Sequence, residues 1–178
     1  MTQQALVLTA TGPDKPGIVE RVTDVVEEHG GNVVASRAMR LGGEFAMLML
    51  VSASTDHADA LREALRALRD DEFQVATRLT TRGNVQKYAG YIPYEIKIRG
   101  ADHEGIVHSV THYLASQGIN IETLDTNVRK APMTGTPLFE MEAVVLVPGE
   151  LGYHDLREAL DEVGDQSGVD AEIVPYTG

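Results

Sequence analysis

The sequence has no cysteine, no tryptophan and only three phenylalanines among its 178 residues. Without cysteine there is no disulfide, no thiolate nucleophile and no cysteine-ligated zinc or iron–sulfur centre. No run approaches the ~18 uninterrupted apolar residues that a membrane-spanning helix requires, so no membrane association is expected. The amino terminus, MTQQALVLTATGPD, lacks a basic segment and a long apolar run. No export signal is read there, and a cytoplasmic location is expected. Positive charge is scarce, with 15 Lys and Arg against 27 Asp and Glu, a net charge of −12. No Lys/Arg cluster reverses that balance locally, so direct binding to nucleic-acid phosphate is not expected. The sequence also lacks G-x-S-x-G, Walker and G-x-G-x-x-G motifs. It is read as a non-enzyme without a cofactor.

What the sequence does contain is a repeat. Residues 12–32, GPDKPGIVERVTDVVEEHGGN, align without a gap to residues 100–120, GADHEGIVHSVTHYLASQGIN, at an offset of 88. Nine of the 21 positions are identical, among them Gly12/Gly100, Asp14/Asp102, Gly17/Gly105, Ile18/Ile106 and Asn32/Asn120. The segment LREAL occurs at 61–65 and again at 156–160, offset by 95. Two units are too few for a solenoid, so each is expected to be a small closed domain. The boundaries read as domain 1 at 1–82, a polar linker at 83–92, and domain 2 at 93–178.

Each unit reads as strand, helix, strand, strand, helix, strand. In the first, ALVLTAT is a strand, and a helix follows with Ile18, Val22, Val25, Val26 and His29 at 3.6-residue spacing. Gly42-Gly43 marks a hairpin turn between NVVASRAMRL and EFAMLMLVSA. Leu61, Leu65 and Leu68 form the apolar stripe of a second helix, and FQVATRLTT closes the unit. The second unit repeats this order, and its surplus of seven residues maps to a longer hairpin loop, KAPMTGTP. A βαββαβ unit makes a four-stranded antiparallel sheet with both helices on one face, because each crossover is right-handed. The fold class is therefore α+β, two ferredoxin-like βαββαβ domains in tandem. Residues 45–51, FAMLMLV, are apolar on both alternating faces, so a neighbouring domain or subunit is expected to cover the face the helices leave open.

The duplicated strand-D-x-x-G-I-V-helix-G-x-N pattern resembles the ACT domain, a small-ligand regulatory module of amino-acid metabolism. The resemblance covers both units. A free-standing tandem of this length is similar to the glycine-cleavage-system repressor group of ACT proteins. The resemblance implies amino-acid sites where two such domains meet, a regulatory partner protein, and a homo-oligomer.

The residues themselves suit that chemistry. Gly17 and Gly105 fall at a helix start, where unpaired N–H groups and the positive dipole end can receive a carboxylate. Asp14 and Asp102 can accept from an ammonium group, and the amides of Asn32 and Asn120 can serve either end of a zwitterion. The competing readings are structural: the aspartates as helix caps, the glycines as packing positions, the asparagines as turn residues. The candidate ligand-binding set is Asp14, Lys15, Pro16, Gly17, Ile18 and Asn32, with Asp102, His103, Glu104, Gly105, Ile106 and Asn120 in the second copy. Pro16 pre-sets a helical φ, whereas Glu104 brings a negative charge hostile to a bound carboxylate, which favours the first copy.

His108 and His112 have the i,i+4 spacing of a zinc chelate, but no further ligand clusters with them, so they read as solvent-facing and no metal site is assigned. Glu140 and Glu142 alternate along a strand and read as a solvated edge. The leading function is an amino-acid sensor that modulates a partner protein, with transcriptional control of glycine cleavage as the process the resemblance suggests. The alternatives are a ligand-free interaction module, or a regulatory fragment of a larger enzyme. A chain ending directly after a closing strand speaks against the fragment.

Overall fold

A computed structural model describes residues 3–80 and 87–177. The chain divides into two compact units, residues 1–84 and 85–178. The expected linker at 83–92 lies partly outside the described residues, and 87–90 form a turn. The first unit runs β1 (Gln3–Pro13), α1 (Ile18–Glu28), β2 (Asn32–Leu41), β3 (Glu44–Ser54), α2 (Thr55–Ala67) and β4 (Gln74–Thr80). The second runs β5 (Ile92–Ala101), α3 (Ile106–Ser116), β6 (Asn120–Lys130), β7 (Pro137–Val147), α4 (Tyr153–Gln166) and β8 (Val169–Pro175).

Each unit is a four-stranded antiparallel sheet, ordered β2-β3-β1-β4 and β6-β7-β5-β8. Alternation decides what is buried. Leu6, Leu8 and Ala10 of β1 and Met47, Met49 and Val51 of β3 pack under Val22, Val26, Leu61 and Leu65 of the helices. Ile96 and Ile98, Met141 and Val145 do the same under Val110, Leu114, Leu156 and Leu160. Both leucines of each LREAL segment are thus core residues. Gly42 and Gly43 have φ of 60° and 91°, the left-handed pair that a tight hairpin turn needs.

A register shift falls between Val33 and Ala35 in β2 and between Ile121 and Thr123 in β6. These are matched positions, so the bulge is part of the repeat. The extra residue is Val34 in one unit and Glu122 in the other. Within the first unit, Leu48 is 51% exposed on the face opposite the helices, so the cover expected over that face is not supplied by the unit itself. Glu140 and Glu142 are not on an edge. They lie on the outward face of β7, a central strand, where Glu142 is exposed and Glu140 is half-buried between Arg99 and Arg129.

Candidate functional site

The loop from β1 to α1 is anchored by the Asp14 backbone N–H, which donates to the Gly43 carbonyl at 3.0 Å. Asp102 does the same to the Pro137 carbonyl at 3.1 Å. Neither aspartate caps a helix. The N-cap residues are Gly17 and Gly105, with φ of 89° and 95°, and among the described residues no side chain bonds to the N–H groups of either first turn. The glycines are there for that left-handed φ, not for close packing. A Cβ on Gly17 would meet only a Glu20 oxygen at 3.9 Å, and one on Gly105 would meet nothing within 4 Å. Space is thus open at both glycines, and the first-turn N–H groups beside them have no side-chain partner among the described residues, as an anion site requires.

The surroundings of the two loops differ. The Asp14 carboxylate, half-exposed, lies 3.8 Å from the Arg40 guanidinium at the end of β2. Lys15 reaches across to Glu72 in the α2–β4 turn, which raises the lysine pKa chiefly through that hydrogen bond. Arg21 sits 3.5 Å from Asp70, donates to the Leu68 carbonyl at 3.0 Å, and lies over the Phe73 ring at 5.4 Å. The Phe73 and Glu72 N–H groups both donate to Asp70, holding its carboxyl below the usual range. Together these groups close the floor of the loop around a hollow of about 70 Å³. Pro16 is exposed, and Ile18 packs partly against the core.

In the second unit His103 replaces Lys15, and Glu104 stands exposed where Pro16 was. His103 donates from Nδ1 to the Glu104 carbonyl at 3.0 Å and from Nε2 to the Ser167 carbonyl at 2.6 Å. Only the imidazolium can donate to both. These two bonds raise the His103 pKa, with Asp102 adding a smaller favourable charge. The bridge is complete below the ordinary histidine value of ~6.5 and is lost as pH rises through the raised folded value. An NMR titration of the His103 ring should show a midpoint above ~6.5, and the β5–α3 loop amides should shift with it. A midpoint at or below that value would remove the bridge. Ile106 is 1% exposed and belongs to the core, so it offers a ligand only its backbone.

Asn32 and Asn120 are not beside these loops. In register, Asn32 pairs with Ser52 and Ser52 with Ala5, whereas the loop springs from Pro13. Eight residues of strand separate Ala5 from Pro13, about 26 Å at ~3.3 Å per residue. Asn120 is level with Leu146 and Pro93, again eight residues from Ala101. Within one unit, loop and asparagine cannot touch the same small molecule. The two asparagines differ as well. Asn120 donates to Glu122 at 2.9 Å, while the Asn32 side chain makes no hydrogen bond among the described residues.

Arg40 is the neighbour that the motif alone does not reveal. The Gly42-Gly43 turn fixes the hairpin register, which sets Arg40 opposite Phe45, and Phe45 opposite Gly12 at the loop. His108 and His112 are exposed, with ring centroids 5.8 Å apart, and line a groove between α3 and α4. No group of three or more potential metal ligands occurs among the described residues.

The ACT-domain family profile matches residues 4–79. The chain is 32% identical over 133 residues to the glycine cleavage system transcriptional repressor of Escherichia coli K12, covering 73% of this chain and 68% of that protein. The chain belongs to the ACT-domain family, in the group of that repressor. A solved structure of an unknown protein from Galdieria sulphuraria is 34% identical, with a TM-score of 0.83 over 99% of this chain and all of that one. The second ACT unit, beyond the matched residues, repeats the first element for element. The chain is also 25% identical over 186 residues to phosphoserine phosphatase SerB2 of Mycobacterium tuberculosis, spanning 97% of this chain but 41% of that protein. No described helix is long and apolar enough to cross a membrane.

Proposed function

We propose that this ACT protein is a non-enzymatic regulator that binds a small amino acid at a junction between ACT units and passes the event to a partner protein. The observation that carries the reading is the start of α1, where the N–H groups have no side-chain cap and space is open at Gly17, beside an aspartate not used as a cap. A ligand carboxylate takes the N–H groups, and its ammonium takes Asp14. Asn32, about 26 Å away in its own unit, serves the ligand bound at the loop of a different unit. Two β2 edges running antiparallel bring those ends together, so the site is completed only by association. The first-copy set of Asp14, Lys15, Pro16, Gly17, Ile18 and Asn32 is the better binder. In the second, made of Asp102, His103, Glu104, Gly105, Ile106 and Asn120, the asparagine amide is already engaged by Glu122 and Glu104 replaces Pro16, while each copy has one glutamate near the helix start, Glu20 in the first turn of α1 and Glu104 just before α3.

A thermal-shift panel of the amino acids tests this. The true ligand at 100 times its dissociation constant should add about 2.7 kcal/mol of stability. In calorimetry, Asn32→Ala and Asp14→Ala should each weaken binding roughly tenfold, about the value of one lost hydrogen bond to a charged group. Their melting temperatures should hardly move, because both side chains are exposed and neither caps a helix. A panel without any stabilising amino acid would leave the ligand-free interaction module as the better description. Binding retained in both variants would instead move the site away from this loop.

The repressor likeness and the net charge of −12 lead to the expectation that transcriptional control runs through the partner. The protein alone should produce no gel shift with DNA at physiological salt. A tight, sequence-dependent shift would make it a direct repressor.

A further inference from the structure

The first helices of the two units carry different donors on the same flank. At the repeat offset of 88, His108 and His112 of α3 stand where α1 has Glu20 and Asp24. Val110 and Leu114 are fully buried and Ile106 is 1% exposed, which fixes the rotation of α3 about its axis. The two histidines are thereby held on the exposed flank, one helical turn apart, with ring centroids at 5.8 Å. Neither ring makes a hydrogen bond among the described residues, whereas both nitrogens of His103 and Nδ1 of His29 are engaged. The groove they line, about 460 Å³ between α3 and α4, has no lysine, arginine or carboxylate in its wall. Gln166, the last residue of α4, and its C-cap Ser167 also line it, so the negative end of that helix dipole lies beside the imidazoles.

We propose that His108 and His112 chelate one divalent transition-metal ion of the zinc, nickel and copper class. Geometry carries the inference. An ion held at about 2.0–2.1 Å by one nitrogen of each ring, with a bite of about 90–110°, sets the centroids about 4.5–5.2 Å apart. The observed 5.8 Å lies just outside that range, and exposed side chains close such a gap by rotamer motion on the nanosecond scale. The backbone does not have to move, because the helix already places both rings. The donors decide the class of ion. Imidazole suits zinc, nickel and copper, and a wall without carboxylates does not suit magnesium or calcium. A net charge of −12 enriches cations around the chain as a whole. The chain supplies two ligands and water fills the remaining positions, so the ion is exchangeable and its coordination sphere stays open. The i,i+4 spacing brings the rings together only while α3 is helical, which couples the ion to the folded second unit. The site uses none of the loop residues, so the inference does not depend on the amino-acid reading above.

Calorimetric titration of the untagged full chain with zinc chloride and with nickel chloride tests it. Wild type should take up one ion per chain, and magnesium chloride should give no binding heat. His108→Asn and His112→Asn should each weaken binding roughly tenfold or more, because one imidazole alone loses the effective concentration of the second. Both side chains are exposed, so the variants should melt like wild type without metal, and saturating zinc should raise the melting temperature of wild type alone. His154→Asn, in the first turn of α4, should bind zinc as wild type does. Wild type also provides a test free of substitutions. Paramagnetic nickel should broaden the ring resonances of His108 and His112 before those of the other four histidines. No binding heat at millimolar zinc or nickel overturns the proposal. Equal affinity in wild type and both variants marks the ion as adventitious and overturns it as well. Broadening that begins at any other histidine places the ion elsewhere and rejects this pair.

Discussion

Gly100→Val should destabilise the second unit by about 3 kcal/mol, the upper end of ordinary overpacking. A Cβ on Gly100 would lie 2.7 Å from Val169 Cγ1 and 3.0 Å from its Cα, so backbone as well as side chain has to move. Gly12 is the same position in the first unit, where a Cβ would meet the Glu72 carbonyl oxygen at 2.8 Å and the Phe73 ring at 3.1 Å. In both units the last strand begins by crossing closely over the end of the first, and only glycine leaves room. Gly105 provides the internal control. It has open space but φ of 95°, so Gly105→Ala should cost about 1–2 kcal/mol, and asparagine should recover part of it. At Gly100 asparagine should recover nothing, because the obstacle there is atoms and not φ. Urea unfolding of the set separates the two causes. Gly100→Val within ~0.5 kcal/mol of wild type would mean the strand crossing yields easily.

That contrast shows what the sequence can and cannot convey. Gly12/Gly100 and Gly17/Gly105 are equally conspicuous in the repeat, yet one pair answers a steric demand and the other a dihedral one. Nothing in residue identity separates them, because contact with residue 169 or 72 is long-range. The elements themselves are legible. Apolar spacing gives the helices, Gly42-Gly43 gives the hairpin, and LREAL gives the leucines of both cores. The bulge at Val34 and Glu122 is not legible, since it consists of one exposed residue with no signature of its own. The place of Glu140 and Glu142 depends on strand order, which alternation along one strand does not report. The separation of Asp14 from Asn32 is derivable. An 11-residue helix lies between them, about 16 Å long, and it carries the chain from one end of the sheet to the other. The charge partners of the loops escape sequence reading for a different reason. Lys15 and His103 each bridge to a turn more than fifty residues away, one to a carboxylate and one to a carbonyl.

Leu65→Ala should destabilise the first unit by about 2–5 kcal/mol, and its effect should stay in that unit. Leu65 is fully buried in a core built from β1, β3, β4 and both helices of its own domain. The second unit has a core of its own, in which Leu160 occupies the matching place at 1% exposure. A domain of about 80 residues buries only some 60% of its unfolded surface, so a loss of this size takes much of its stability. Hydrogen exchange read by mass spectrometry should show peptides of β1, β3 and α2 exchanging orders of magnitude faster. Those of β5, β7 and α4 should keep nearly wild-type rates. Leu160→Ala should give the mirror image. Equal acceleration in both units after either substitution would mean that they unfold as one cooperative body. In that case ligand binding at one loop would stabilise the whole chain directly. Separate responses would mean that a signal from a bound amino acid has to travel through the contacts each unit makes with its neighbours, which is where the loop and the asparagine of different units are proposed to meet.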